Sequence, residues 1–327
     1  MAEIVTFGEA MIRLSPPGFR RLEQADTLDL HVGGAELNTA VALARLGRHS
    51  AWVSCLTDNP LGRIIRNRAR EAGVNTEHVA WTQDHRVGLY FLEFGAAPRA
   101  SNVVYDRRDS AMAHVEPGMF RWSEIFAQAR WFHVTGITPA LSPQATVTTR
   151  EALAAARAAG LRVSIDLNYR QKLWTPVEAG RCLRELLTYC DVLITTEEDA
   201  EKVLGLTAPD HATLAQRLVE NFPIEIAAIT IRDNPLVWRN TWTALACRGK
   251  EIYQARRYEV EIVDRLGAGD SFAAGLIDGL LDGDLPRGIE TGVALSALKH
   301  SIPGDFAWVS RAEVEAVLRG SGLRISR

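Results

Sequence analysis

The sequence predicts an α/β fold: a mainly parallel sheet covered by helices on both faces. Three observations carry this expectation. Short apolar runs alternate with amphipathic stretches along most of the chain, the pattern of βα units in series. The helical stretches stop at glycines placed where their apolar period ends. Two segments, 10–32 and 87–111, break the alternation with Pro16, Pro17, Gly18, Gly95 and Pro98 between short alternating runs, which suits hairpins standing off the main sheet.

Taken in order, Ile4-Val5 enters a strand pattern at once. Ala35 to Leu46 reads as a helix closed by Gly47, Ser50 to Cys55 as a strand, and Leu61 to Ala72 as a helix before Gly73. Gln144 to Ala159 is an alanine-rich helix stopped by Gly160, and strands are expected at Arg162 to Leu167, Val192 to Ile194 and Ile226 to Ile231. Ile262-Val263 reads as a strand-like run before the glycine turn Gly267-Ala268-Gly269 and a further helix. With no low-complexity linker and no repeat, the two hairpin segments are expected to form a small β lid inserted into one domain spanning 1–327.

Composition narrows the function classes. The 327 residues are 47% hydrophobic, enough for a large core. With 37 basic and 40 acidic side chains the formal charge is −3, so no global field attracts nucleic acid or an anionic membrane, and anion binding must be local. Cys55, Cys182, Cys190 and Cys247 are scattered without a C-x-x-C pair, which suggests reduced thiols in a cytoplasmic protein. No apolar run reaches membrane-spanning length and no signal core follows the N-terminus.

The Gly267-Ala268-Gly269-Asp270 turn at a helix mouth offers backbone amides and a positive dipole end to an anion, with a carboxylate beside them. Such a carboxylate can take a proton from a hydroxyl while the amides hold phosphate charge; the same residues also fit an aspartate N-cap. Gly33-Gly34 before a helix, with Asn38 near its first turn, can bring amides against hydroxyls of a small ligand. No G-x-x-x-x-G-K-[ST] loop occurs, and the late glycines lack the third position of a dinucleotide fingerprint. After the strand ending near Leu167, Asn168 and Arg170 lie where open parallel sheets bind ligands; pairing of Arg170 with Asp166 is the alternative. Tyr90, Tyr105 and Arg107 recur on the lid, and Arg107 converging with Arg170 would suit a carboxylate-bearing substrate. Thr195 to Glu198 has a capping-box pattern whose acidic first turn could also hold hydrated Mg²⁺. His133, within Trp131-Phe132-His133-Val134, reads as a core residue.

With Gly33-Gly34-Ala35-x-x-Asn38 near the start and Gly267-Ala268-Gly269-Asp270 near the end, the chain resembles the ribokinase (PfkB-type) carbohydrate kinases over nearly its full length. It is most similar to their 2-keto-3-deoxygluconate kinase branch through Tyr105-Asp106-Arg107, Asp166-Leu167-Asn168-Tyr169-Arg170 and Lys299-His300-Ser301-Ile302-Pro303-Gly304-Asp305. The resemblance implies a three-layer α/β/α ribokinase-like fold with a β-sheet lid, and an ATP- and Mg²⁺-dependent kinase acting on a small sugar acid. It implies sugar-acid contacts from Gly34, Asn38, Tyr90, Tyr105, Arg107, Arg170 and Asp305, with Asp270 as the base. It further implies an anion hole of Gly267, Ala268 and Gly269, and Asn168 near the nucleotide phosphates. Where many relatives have Asn-x-x-Glu this chain has Thr196 and Asp199, so Asp199 stands as the metal candidate. Where many have a glycine-rich turn it has Thr230-Ile231-Arg232-Asp233-Asn234-Pro235, which leaves Arg232 as the phosphate contact. A homo-oligomer joined through the lid is expected. A neutral-sugar kinase and a non-catalytic sugar-acid-binding regulator are the competing readings.

Overall fold

A computed structural model describes residues 2–236 and 238–320. Its strands are β1 (Ile4–Phe7), β2 (Met11–Ser15), β3 (Asp29–Gly33), β4 (Ser50–Thr57), β5 (Val79–Thr82), β6 (Leu89–Glu93), β7 (Asn102–Asp106), β8 (Trp131–Thr135), β9 (Arg162–Asp166), β10 (Val192–Thr195), β11 (Ile226–Leu236), β12 (Arg239–Arg248), β13 (Glu251–Gln254) and β14 (Tyr258–Glu261). The helices are α1 (Ala35–Arg45), α2 (Pro60–Glu71), α3 (Trp122–Ile125), α4 (Pro143–Ala158), α5 (Pro176–Leu186), α6 (Glu197–Leu204), α7 (His211–Asn221), α8 (Ala268–Leu281), α9 (Leu285–His300) and α10 (Arg311–Leu318).

The large sheet runs β13-β12-β11-β10-β9-β8-β1-β4-β5, with β14 also on β12. From β11 to β5 every pairing is parallel, and the β12 edge is antiparallel. Period-two alternation sends successive strand residues to opposite faces. Val5, Phe7, Phe132, Val134 and Leu193 join one core with α4 to α7, while Ile4, Trp131, Val192 and Ile194 join another with α1, α8, α9 and α10. That is the three-layer α/β/α arrangement. Each such large side chain contributes about 1.5–3 kcal/mol relative to exposure.

Four strands form a separate sheet in the order β3-β2-β6-β7. Its register puts His31, Arg13, Tyr90 and Tyr105 in one row across the strands. Arg13 and Tyr90 are buried, whereas Tyr105 is exposed.

Three local expectations are corrected. The strand before the glycine turn is β14, ending at Glu261, so Ile262-Val263 lies outside it. Helix α6 is capped by Thr196, whose hydroxyl accepts from the Asp199 amide at 3.1 Å, in place of Thr195; Thr195 ends β10 and bonds the Thr196 carbonyl. Strand β11 continues to Leu236, five residues past the expected Ile231, because an antiparallel partner, β12, carries it onward. His133 is fully buried with Nδ1 2.8 Å from Ser164 Oγ, and burial pushes its pKa down to about 3. All four cysteines are free, and no helix among the described residues is long and apolar enough to cross a membrane.

Candidate active site

Two helices that start on glycine meet at the site. Helix α8 begins after Gly267, whose φ of +81° is left-handed and whose α-carbon sits so near the Asp305 carbonyl that a β-carbon would overlap it. No side chain caps this helix, and Asp270 is its third residue, which removes the N-cap reading for Asp270. Asp264 shapes the turn: Oδ1 accepts from the Leu266 amide at 3.1 Å and Oδ2 from the Gly304 amide at 2.9 Å. Helix α1 begins after Gly34, where a β-carbon would overlap the Glu9 carbonyl, and it too lacks a side-chain cap. The Gly34 amide donates to Asn38 Oδ1 at 3.3 Å, which aims Asn38 Nδ2 at Asp270 Oδ2, 2.7 Å away. Thr39 Oγ1 also bonds the Asp270 carbonyl at 3.3 Å.

Asp270 and Gly267-Ala268-Gly269 form one wall of a cleft of about 580 Å³. Asp166, Asn168 and Arg170 reach it from the end of β9, Thr196 and Asp199 from the start of α6, Arg232 from β11, and Tyr105 from the lid. Asn168 adopts a left-handed φ of +40°, uncommon for a residue with a side chain, and the Asp166 carboxylate holds its amide at 3.1 Å. The cleft thus gathers Tyr105, Asn168, Arg170, Asp199, Arg232, Gly267, Ala268, Gly269 and Asp270, with Asn38 joined through Asp270.

Three carboxylates share this space, and their environment sets their charge. Burial raises Asp270 to about 6, against the pull of the Asn38 hydrogen bond and the Arg170 charge. Burial and the neighbouring Asp270 and Asp199 raise Asp166 to about 8, and burial raises Asp199 as well. Arg170 is exposed and has no carboxylate within 4.0 Å among the described residues, so the Asp166 pairing is absent while its field lowers all three acids. The environment raises Asp166 further than Asp270, a split that leaves Asp270 the more readily ionised of the two and so the better placed to act as a base.

Arg107 is not among the residues that line this cleft with Arg170. It pairs with Glu9, its guanidinium 5.8 Å from the centre of the Tyr105 ring that lines the cleft. Tyr90 and Asp305 are buried and bonded to each other; Asp305 also meets Arg13 Nη1 at 2.9 Å, and Arg13 Nη2 meets Asp264 Oδ2 at 2.7 Å. Sequence reasoning missed Arg13, Asp264 and Lys299 in this buried network. The available signal was charge inside apolar patterns: Arg13 within Met11-Ile12-Arg13-Leu14, and Lys299 near the end of an apolar helix.

Among the described residues no group of three or more His, Cys, Asp or Glu is placed to hold a metal. The donor set fits a cation that keeps most of its waters, with Asp199 as a single carboxylate ligand. The uncapped start of α8 and Arg232 line the same cleft, a donor set suited to an anionic group such as a phosphate.

The family model for pfkB family carbohydrate kinases matches residues 1–305. The chain belongs to that family. As a pfkB carbohydrate kinase it is a phosphotransferase with an alcohol acceptor, and proteins named 2-dehydro-3-deoxygluconokinase are among its relatives. This pfkB kinase is 42% identical over 327 residues to a 2-dehydro-3-deoxygalactonokinase from Haloferax volcanii, covering 100% of this chain and 99% of the relative. A crystal structure of 2-dehydro-3-deoxygluconokinase from Thermotoga maritima superposes with a TM-score of 0.95 at 42% identity, covering 98% of each chain. A ribokinase II from E. coli, in complex with ATP and Mg²⁺, shares the fold with a TM-score of 0.86 at 19% identity, covering 98% of this pfkB chain and 100% of its own.

Proposed function

We propose that this kinase transfers the γ-phosphoryl group of ATP to the terminal hydroxyl of 2-keto-3-deoxy-D-gluconate. The observation that carries the reading is the Asn38–Asp270 bond at 2.7 Å, which fixes one carboxylate oxygen at the meeting point of two uncapped helix starts. Asp270 takes the hydroxyl proton as that oxygen attacks the γ-phosphorus, the bond to the bridging oxygen breaks, and ADP leaves. The Gly267-Ala268-Gly269 amides hold the charge spread over the transferring oxygens. Arg170 orients the sugar carboxylate, and Gly34, Asn38 and Tyr105 meet its hydroxyls. Arg107, its guanidinium over the Tyr105 ring, is offered to the same acid, while Tyr90 and Asp305 act on the sugar side from their buried network. Asn168 and Arg232 lie toward the nucleotide phosphates. Asp199 would hold hydrated Mg²⁺, which when bound neutralises phosphate charge.

A second reading changes only the sugar. The Haloferax volcanii relative is named for the galactonate epimer, so 2-keto-3-deoxygalactonate is the nearest alternative. ADP release measured side by side with both acids, fructose and ribose tests the proposal. Turnover with 2-keto-3-deoxygluconate well above that with the neutral sugars supports it. Preference for fructose or ribose would make this a neutral-sugar kinase, and sugar binding without ADP release at any magnesium level would make it a regulator. Exposed Leu28, just before β3, and exposed Leu30 and Val104 on the small sheet support association of copies through the lid. Light scattering that gives a monomer at working concentration would remove that part.

A further inference from the structure

Lys299 lies in the last turn of α9 and its side chain is fully buried. A buried ammonium is costly unless it is both bonded and neutralised. Its bonds go to main chain: Nζ donates to the Ile302 carbonyl at 3.0 Å and to the Asp264 carbonyl at 3.3 Å. No carboxylate lies within 4.0 Å of it among the described residues, so it is a clamp on backbone rather than half of a salt bridge.

The two clamped segments are those that frame the glycine turn. Asp264 opens the turn and holds the Leu266 amide, while Ile302 leads into the Gly304-Asp305 loop. The segments are cross-linked again where the Gly304 amide meets Asp264 Oδ2, and where Gly267 presses on the Asp305 carbonyl. Lys299 Cε is 3.5 Å from the position a β-carbon on Gly267 would take. Charge balance comes from four groups of one cluster, with Arg13 and Lys299 opposite Asp264 and Asp305.

We infer that Lys299 is a positioning residue for phosphoryl transfer, its buried ammonium clamping the Asp264 and Ile302 carbonyls so that the Gly267-Ala268-Gly269 amides and Asp270 keep their working geometry. The inference rests on the kinase reading of that turn. The charge also acts at a distance. Asp270 faces Asn38 from α1, Asp166 and Arg170 from the end of β9, and Asp305 and Lys299 from behind the turn; of these, Asn38 through its hydrogen bond and Arg170 and Lys299 through their charge favour its ionised form.

Two variants separate clamp from charge. Lys299→Gln keeps amide donors for the carbonyls without the charge, and Lys299→Met removes both. For Lys299→Met, kcat is expected to fall about 10- to 100-fold, below the ~10²–10³ of losing an anion-hole donor itself, with KM for the sugar within about threefold of wild type. Lys299→Gln is expected to recover part of kcat. In both, the acid limb of the kcat–pH profile is expected to move up by about half a pH unit or more, because a positive charge near the base is gone. A folded Lys299→Gln protein with kcat within about twofold of wild type, or with the acid limb unmoved, overturns the inference. So does failure of both variants to fold, judged by near-UV circular dichroism, since the lysine would then serve the fold alone. A wild-type protein without sugar-dependent ADP release overturns the kinase reading and this inference together, whereas an active wild type with unaffected variants overturns the inference alone.

Discussion

Leaving aside the one-turn α3, whose start at Arg121 also lacks a side-chain cap, the helix starts of this molecule fall into two kinds. Helices α2, α4, α5, α6, α7, α9 and α10 each begin with an Asn, Ser, Thr or Asp whose side chain accepts from an amide of the first turn. Helices α1 and α8 begin with Gly34 and Gly267 and have no such acceptor. A side-chain cap satisfies first-turn amides that would otherwise lack a partner; leaving them uncapped forgoes about 1 kcal/mol per helix and leaves donors for a ligand. The uncapped pair is also the pair joined through Asn38 and Asp270. Stability and binding thus make opposite demands on the same local position, and glycine marks where binding prevails.

Substitutions on the two kinds of helix start should separate accordingly. Asp270→Asn is expected to keep the fold and sugar affinity, measured calorimetrically, while turnover falls by roughly 10²–10⁴, the range for a lost general base. Near-normal turnover would remove Asp270 from the chemistry. Gly267→Ala places a β-carbon against the Asp305 carbonyl at a left-handed φ. It is expected to cost about 1–3 kcal/mol in denaturant unfolding, and roughly 10²–10³ in kcat if the anion-hole amides move with it. Full activity in this variant would show that the turn does not hold the transferring group. Arg170→Ala is expected to lower kcat/KM for the sugar acid by about 10- to 100-fold and to affect a neutral sugar much less, since the loss is that of a charge-assisted bond. Equal losses for both sugars would make Arg170 structural. At the capped α10, Ser310→Ala should cost about 1 kcal/mol of stability and leave kcat unchanged. A drop in kcat there would blur the division between the two kinds of start.

Much of this was legible from local pattern. The bounds of α1, α2 and α4 follow from apolar periods and terminal glycines, and observed ends differ from expected ones by a residue or so. The glycine turn with Asp270, and Asn38 after its glycine pair, were visible as motifs, but their 2.7 Å contact joins residues 232 positions apart. The Arg13–Asp264 bond spans 251 positions. No period or spacing reports such a pairing, and a lone arginine in a short apolar strand reads equally as an edge charge. The edge strands β12 to β14 were missed because Arg239–Arg248 mixes polar and apolar residues without clean alternation, and its strand state depends on pairing with β11. Arg107 was legible as a candidate but its partner Glu9 was not, since the ion pair joins the lid to the loop after β1.

The kcat–pH profile of wild type beside that of Asp270→Asn tests the role of Asp270 most directly. Burial raises this carboxyl to about 6, and its active form is the carboxylate, so turnover should rise with pH through about 6 and be lost below it. The residual turnover of Asp270→Asn should lack that acid limb. An acid limb of the same midpoint in both proteins would place the titrating base elsewhere and contradict the mechanism derived from this site.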